Sequence, residues 1–319
     1  MNISIAGYDV SGYCTNSELN LDYTLPEAGG IVTGTTVSMD FDNFANILSE
    51  SLFYNKELKD ISVRISGDTG IVWYGFLNSI RNSNDTLTLT AQDFLYDLSI
   101  RDCLYLKDSS SPAEIAKSIF YFYLPVKYHK YIDDISFDIV KNYQELNDVF
   151  ARLSALPSNN TSIMNVLQKL CDIGIMSIYY DGKIRCRFYD AVLNGISIPD
   201  DDILELSIDK SVKDAFDGYS IASDSGNIAF NSTGKNVKNL EGGMPSDVSL
   251  TSLVGATYIG ESYLKYSARE NVRFQMKVLK KYSGILKLGN GIVIDGKTFV
   301  IDRIRYGSKL SIDIEGRLV

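Results

Sequence analysis

The residue types that most often carry catalysis are scarce in this chain. His129 is the single histidine among 319 residues, so a mechanism that needs two imidazoles in one chain is excluded. The four cysteines are Cys14, Cys103, Cys171 and Cys186, and no two of them form a C-x-x-C pair. Zinc knuckles and dithiol redox sites need such close pairs, so the spacing favours reduced thiols that pack as small apolar side chains.

Three further motifs lack parts that their chemistry requires. The pair Gly289-x-Gly291 has no third glycine and does not lead from a strand into a helix, as a dinucleotide fingerprint does. The run Gly218-Tyr219-Ser220 resembles part of a nucleophile elbow, but Ala222 stands where the closing glycine belongs. The acidic run Asp200–Asp202 lacks the alternate spacing of a calcium loop and is typical of a solvated turn. The sequence therefore predicts no catalytic, cofactor-binding or metal-binding residues.

Charge is distributed unevenly along the chain. Residues 1–105 contain 14 acidic and 5 basic residues, a net charge of −9, which is also the net charge of the whole chain. Residues 265–319 contain 12 basic and 5 acidic residues, a net charge of +7. This asymmetry concerns partners rather than fold. A nucleic acid or an acidic protein surface would each suit the basic segment, although no nucleic-acid-binding motif is present.

Hydrophobic periodicity predicts an α+β protein that is mostly β. The first hundred residues alternate apolar and polar residues between Gly-rich turns, which is typical of strands. The middle changes to helical spacing, with a capping box at Ser111–Glu114 and helices predicted over 111–120, 146–153 and 163–174. A hairpin is predicted over 175–189 because Asp181-Gly182 suits a tight turn.

These patterns predict two β-barrel-like domains that flank a helical insert. The N-terminal barrel would span 1–105, the α+β insert 106–200, and the C-terminal barrel 201–319, with a long loop at 224–254. No apolar run reaches the length of a membrane span, and the first residues lack the pattern of a secretory signal. We therefore expect no stable membrane insertion.

Two segments of the predicted barrels resemble each other. Gly75–Arg81 precedes an alternating run that begins near Leu87, and Thr298–Arg305 precedes an alternating run that begins near Leu310. Both segments join apolar residues to an Ile-Arg pair at similar spacing. An internal repeat is one hypothesis, and chance similarity between two hairpins is the alternative.

Three segments, in this order, resemble parts of bacteriophage tail-tip and baseplate hub proteins. The opening I-S-I-A-G-Y-D-V-S-G-Y resembles their first two strands, and Leu170–Ile184 looks like their helix followed by a hairpin. The stretch from Leu286 to Ile304 is similar to their final strands. The hub part of type VI secretion spikes shares this resemblance, which covers most of the chain but is architectural.

The resemblance implies a non-enzymatic homotrimer in the virion, assembled in the bacterial cytoplasm without a cofactor. Three chains with two barrels each would present six similar units to a sixfold tail tube and a threefold face to a spike. The implied partners are further copies of the chain, the tail tube protein or distal tail ring, and a separate spike protein, with DNA passing through the lumen. Acidic and basic regions of neighbouring subunits could then set their register. The cations predicted at this interface are Lys280, Lys281, Arg303 and Arg305.

Two other hypotheses remain open from the sequence. A distal-tail-type hexameric ring protein would have one β-barrel and no helical insert, which the predicted helices disfavour. A carbohydrate-binding or carbohydrate-cleaving β-protein would need exposed aromatic platforms or a pair of carboxylates in a cleft.

Overall fold

The structure is a computed structural model of the chain. It describes residues 2–15, 21–24, 30–31, 35–42, 57–67, 70–83, 85–99, 101–104, 110–153, 161–180, 182–188, 193–211, 218–224, 226–231, 237–239, 248–267, 271–306 and 311–319. The chain is α+β and mostly β, as the sequence predicts.

The described strands and helices follow the chain in this order. The strands are β1 (Asn2–Ile5), β2 (Tyr8–Asp9), β3 (Leu21–Thr24), β4 (Gly30–Ile31), β5 (Thr36–Asp42), β6 (Ser62–Gly67), β7 (Gly70–Ser83), β8 (Thr86–Gln92), β9 (Ala151–Leu153), β10 (Met176–Tyr180), β11 (Ile184–Phe188), β12 (Leu193–Ile196), β13 (Ile203–Ser211), β14 (Gly218–Ser223), β15 (Gly226–Asn231), β16 (Val237–Asn239), β17 (Val248–Leu250), β18 (Asn271–Leu279), β19 (Asn290–Ile294), β20 (Lys297–Tyr306) and β21 (Ser311–Leu318). The α-helices are α1 (Phe94–Ser99), α2 (Pro112–Tyr123), α3 (Asp134–Leu146), α4 (Ile163–Gly174) and α5 (Leu253–Ser267). Short 3₁₀ helices cover Ser11–Tyr13, Leu58–Asp60, Val126–Tyr131, Asp200–Asp202 and Lys280–Tyr282.

Two large sheets contain most of the strands. The first, here called the N-terminal sheet, has the order β2-β1-β6-β7-β8-β5. The second, the C-terminal sheet, has the order β12-β19-β20-β21-β18-β13, and β3 pairs with β20 beside it. Along both sheets apolar residues alternate with polar ones, so one face of each sheet packs into the core.

The two sheets share a four-strand arrangement, which supports the predicted internal repeat. In the first repeat β5, β6, β7 and β8 follow one another in sequence and pair in the order β6-β7-β8-β5. In the second repeat β18, β19, β20 and β21 pair in the order β19-β20-β21-β18. The register shifts between Leu77 and Ser79 in one hairpin, and between Ile301 and Arg303 in the other. These two bulges fall at equivalent places of the similar segments, so the resemblance extends to the backbone.

The helical region packs against the N-terminal sheet through aromatic rings. The ring of Phe94 lies 4.9 Å from the rings of both Tyr128 and Tyr131. Tyr74 of β7 stacks on Tyr131 at 4.7 Å. Ring pairs at these separations add specific geometry to their burial, so the sheet and the helices share one core.

The helix predicted over 146–153 is wrong, and helix α3, which precedes this range, was not predicted. The spacing of Leu146, Val149, Phe150 and Leu153 predicts a helix, but the helix in this region is α3, which ends at Leu146. Beyond it, Ala151–Leu153 forms β9, and this strand pairs antiparallel with β17. A long-range strand partner therefore outweighs the local helical spacing.

The predicted hairpin over 175–189 is confirmed. β10 and β11 pair antiparallel from Met176 opposite Phe188 to Tyr180 opposite Ile184. The range 224–254, expected to be a long loop, contains β15, β16 and β17 among its described residues, while 225, 232–236 and 240–247 lie outside them.

Several strand pairs cross the predicted domain boundaries. β3 from the N-terminal part joins the C-terminal sheet, and β4 pairs with β10 of the helical region. The division at residues 105 and 200 stays a prediction. Of the helices in the described ranges, none combines the length and the apolar character that a membrane span requires.

Candidate functional site

The outer face of the C-terminal sheet carries a row of charges that alternate in sign. Strand register places the members of the row opposite one another across five adjacent strands, β13, β18, β21, β20 and β3. The row consists of Glu205, Lys277, Asp313, Arg305 and Asp22. Opposite charges placed directly across strands stabilise a sheet and oppose a shift of register. This face therefore fixes how the five strands line up.

Asp22 and Arg303 form the tightest contact on this face. Arg303 Nε donates to Asp22 Oδ1 at 2.9 Å, and Nη2 donates to Oδ2 at 2.5 Å, so the pair is bidentate. Arg303 Nη1 also lies 3.4 Å from Glu315 Oε1, and Arg305 Nε lies 3.6 Å from Asp22 Oδ2. The hydrogen bonds from Arg303 hold the pKa of Asp22 below its ordinary value, and Asp22 raises the pKa of Arg303. The pair fastens the N-terminal strand β3 to the C-terminal sheet.

The four cations predicted at a subunit interface lie in two separate places. Arg303 and Arg305 lie two residues apart on β20, and both contact Asp22 of the same chain. Lys280 and Lys281 lie in the 3₁₀ helix after β18, where Lys281 Nζ is 2.7 Å from Asp202 Oδ1. Three of the four therefore already have an acidic partner within the chain.

The sequence predicts that the acidic run Asp200–Asp202 is a solvated turn. In the structure, Asp202 of this run has a structural role. It accepts a hydrogen bond from Tyr282 Oη at 2.6 Å in addition to its contact with Lys281. The hydrogen bonds from Lys281 and Tyr282 lower the pKa of Asp202, and Asp202 raises the pKa of Tyr282 to about 12. This cluster joins the start of β13 to the end of β18.

We expect the change Asp22→Ala to lower the free energy of unfolding by about 1–2 kcal/mol. The pair is bidentate but about a third exposed, so solvent screening limits its contribution. Urea unfolding at low and high salt would measure the loss, which should shrink as salt rises. A matched control is Asp201→Ala, because Asp201 is an exposed carboxylate of the same residue type. Equal midpoints for the two variants would contradict the prediction.

The residues with catalytic potential have structural surroundings. His129 Nε2 lies 3.0 Å from the carbonyl oxygen of Leu124, and its ring stands edge-on to Tyr121 at 4.7 Å. All four cysteines are in described residues without a disulfide, and three of them are buried. Among the described residues, no three His, Cys, Asp or Glu side chains group as a metal site would need.

A groove of about 500 Å³ lies between α2 and α3. Its carboxylates are engaged by lysines of the same walls: Lys117 Nζ is 2.9 Å from Asp138 Oδ1, and Lys141 Nζ is 3.3 Å from Glu114 Oε2. These carboxylates therefore act in ion pairs that link the two helices.

Comparison with solved structures places this architecture among known folds. The 43 kDa tail protein of prophage MuSo2 from Shewanella oneidensis matches with a TM-score of 0.60 and 12% sequence identity, covering 100% of this chain and 97% of that chain. The chain has the fold of a phage tail protein. The tail protein from Neisseria meningitidis MC58 matches with a TM-score of 0.59 and 10% identity, covering 99% and 96% of the two chains. Prophage tail protein gp18 from Listeria monocytogenes EGD-e matches with a TM-score of 0.52 and 10% identity, covering 99% and 94%.

The tail-protein fold accounts for the chain from end to end, because each alignment covers both large sheets and the helical region. No protein-family model matches the sequence, and no curated protein matches it. The likeness to phage tail proteins therefore lies in the fold, since the sequence identities are only 10–12%.

Sequence reasoning missed the acidic partner on the charged face. Asp22 lies 281 residues before Arg303, and no local pattern links them. The similarity of Gly75–Arg81 to Thr298–Arg305, by contrast, is visible in the sequence, and the second of these segments lies on β20, the strand that carries Arg303 and Arg305.

Proposed function

We propose that this chain is a structural, non-enzymatic hub of a phage tail tip or baseplate, or of a phage-like particle. The hub is a homotrimer that adapts a sixfold tail tube to a threefold spike. The observation that carries the proposal is the pair of four-strand repeats with the same pairing order and equivalent bulges. Three chains with two repeats each supply six similar units around one axis, which matches sixfold and threefold symmetry at once.

The proposed partners follow from this position in the particle. Further copies of the chain form the ring, the tail tube protein or distal tail ring lies on the sixfold side, and a separate spike protein lies on the threefold side. DNA passes through the lumen transiently. The likeness to phage tail proteins supports a place in the virion tail.

The interface through Lys280, Lys281, Arg303 and Arg305 stays a prediction. Reversing Arg303 or Arg305 would also break their contacts with Asp22, so a loss of assembly would not distinguish an interface from a damaged subunit. Lys280 is the better probe of the four, since no acidic contact of its side chain occurs among the described residues.

We expect the purified protein to have a mass of about three times 35.5 kDa by light scattering across a range of protein concentrations. A hexamer would instead favour a distal-tail-type ring protein. A monomer at every concentration, together with binding or cleavage of cell-wall polysaccharide, would overturn the hub and favour the carbohydrate hypothesis.

A further inference from the structure

Strand β13 lies at one end of the C-terminal sheet, and its apolar side chains are partly exposed. Leu206 and Ile208 of β13 lie opposite Met276 and Phe274 of β18, so they point to the core face of the sheet. Yet both side chains are 43% exposed, whereas Met276 and Phe274 are buried. Among the described strands, β18 is the only neighbour of β13. Such a long apolar edge is a template for strand pairing between chains.

A second exposed strand edge lies in the N-terminal sheet. In the C-terminal repeat, Arg303–Tyr306 of β20 is covered by β3, with Arg305 opposite Asp22 and Ile304 opposite Tyr23. The equivalent stretch of β7 is Ser79–Asn82, and no described strand pairs with its corresponding side. Ile304 is 2% exposed, whereas Ile80 is only half-buried and Arg81 is exposed. Among the described strands, one repeat therefore has an edge strand in place at this position, and the other has none.

The free edge of β13 carries the same four-residue pattern as β3. Residues 21–24 read Leu-Asp-Tyr-Thr, and residues 204–207 read Leu-Glu-Leu-Ser: apolar, acidic, apolar, hydroxyl. In β3 the acid meets Arg305, while the apolar residues Leu21 and Tyr23 are buried. In β13 the acid is Glu205, which lies 3.2 Å from Lys277 Nζ of β18 and whose side chain is still 72% exposed, and no described strand pairs with the edge beside it.

We propose that β13 of one copy pairs antiparallel with Ser79–Asn82 of β7 in the next copy, as β3 pairs with β20 within a chain. The register places Glu205 opposite Arg81, Leu206 opposite Ile80, and Ser207 opposite Ser79. The C-terminal sheet of each subunit then continues into the N-terminal sheet of its neighbour. This contact is heterologous, so it closes only as a ring and leaves no copy with a free edge. The inference rests on the proposed trimer and names its interface.

Charge complementarity selects a second copy as the occupant of the β13 edge. The row of alternating charges on the C-terminal sheet ends at this edge with Glu205, which contacts Lys277 on one side, and the alternation would continue with a cation on a further strand. Arg81 is an exposed cation on an equivalent strand, and no ion pair to it occurs in the part of the chain that the structure describes. The same pairing covers Leu206 and Ile80, which a polar partner would leave unburied.

A charge-swap experiment tests the register. Arg81→Glu should raise the protein concentration at which half of the trimer dissociates, on the order of tenfold, because two carboxylates then face each other. Glu205→Arg should have the same effect on the trimer, but it also loses the contact of Glu205 with Lys277 in its own chain, at 3.2 Å, so Arg81→Glu is the deciding single variant. The double variant should recover the trimer. Arg64→Glu is the matched control, since Arg64 is an exposed arginine on β6 whose Nε donates to Ser66 Oγ within the same sheet. Circular dichroism would check that each subunit stays folded.

A cysteine cross-link tests the same pairing by distance. Oxidation of the double variant Ser79→Cys, Ser207→Cys should give covalent dimers and trimers, and Asn78→Cys with Ser207→Cys should give few.

The outcomes of the two experiments separate the pairing from the trimer. A trimer whose dissociation is unchanged by both charge reversals, and which forms no cross-link, contradicts the pairing but not the proposed hub. A hexamer that cross-links and responds to the swap supports the pairing and overturns the trimer. A monomer at every concentration overturns both.

Discussion

The change Asp93→Ala should lower the free energy of unfolding by about 2–4 kcal/mol at neutral pH. Asp93 is 1% exposed and accepts four hydrogen bonds. Two come from the backbone N–H and hydroxyl of Thr35, both at 2.7 Å, and two come from the backbone N–H groups of Leu95 and Tyr96 at the start of α1. Alanine would leave buried N–H groups without an acceptor and remove the cap of the helix. Chemical denaturation of the two proteins would measure the difference.

The pH dependence of the same variant gives a second measure. Burial raises the pKa of Asp93 to about 6, from an ordinary value of 3.8, against the effect of its four donors. Protonation therefore favours the folded state: this contribution is present below pH 3.8 and is lost as pH rises through 6. It amounts to about 3 kcal/mol. The gap between wild type and Asp93→Ala should widen as pH falls from about 7 to about 4.

A matched control for this change is Asp85→Ala, because Asp85 is an exposed carboxylate just before β8. That variant should unfold within about 0.5 kcal/mol of the wild type. If Asp93→Ala unfolded at the same denaturant concentration as Asp85→Ala, Asp93 would not link Thr35 to the start of α1 as its contacts indicate.

Local chemistry predicts the elements whose partners are close in sequence. The hairpin of β10 and β11 needs only two apolar runs and a tight turn, and the capping box at Ser111 places the start of α2. Ser111 Oγ does accept a hydrogen bond from the N–H of Glu114, at 3.3 Å. The two similar hairpins are visible because their Ile-Arg pairs and the alternating runs after them repeat in the sequence.

Helix α3 was not predicted because several of its apolar residues lie on its exposed face. Ile135, Ile139 and Leu146 are all more than 60% exposed, while the polar Gln144 is 1% exposed. Gln144 is buried because it accepts from the N–H of Ala113 at 2.9 Å and donates to the carbonyl of Gly174 at 3.2 Å. A buried amide that joins three segments gives a helix no hydrophobic signature.

The charged face can be predicted only in part for a related reason. The basic character of residues 265–319 is plain in the sequence, but several of their acidic partners come from elsewhere in the chain. Asp22 reaches Arg303 only because β3 leaves the N-terminal region and pairs with β20. Strand pairing between distant segments depends on the tertiary structure, and short-range sequence patterns carry no information about it. Charge alone favours a neighbouring subunit as the partner of the four cations, whereas three of them have acidic partners within the chain.

The second large effect is expected from Gly316→Ala, at the centre of the C-terminal repeat. A Cβ at Gly316 would lie 2.1 Å from the carbonyl oxygen of Val300 on β20 and 2.5 Å from Cε1 of Phe274 on β18. A backbone oxygen cannot move aside as a flexible side chain can, so β20 and β21 must separate. We expect the free energy of unfolding to fall by about 3–5 kcal/mol, or the protein to fail to fold.

The control for Gly316→Ala is the same replacement at another strand glycine of the same sheet. A Cβ at Gly195 of β12 would meet no atom within 4 Å, so Gly195→Ala should change stability by no more than about 1 kcal/mol. Thermal unfolding would compare the two variants, and a Gly316→Ala protein as stable as Gly195→Ala would contradict the close approach of β20 and β21.

The two large effects also separate the roles of the two sheets in assembly. Because the proposed ring continues the C-terminal sheet into the next subunit, Gly316→Ala should weaken assembly together with folding. Asp93→Ala acts first on the joint between the N-terminal sheet and α1, where Asp93 holds Thr35 and the first N–H groups of the helix. The order in which subunit unfolding and trimer dissociation occur in the two variants would then show whether damage at β20 and β21 or damage at the start of α1 reaches the contact between β13 and β7 first.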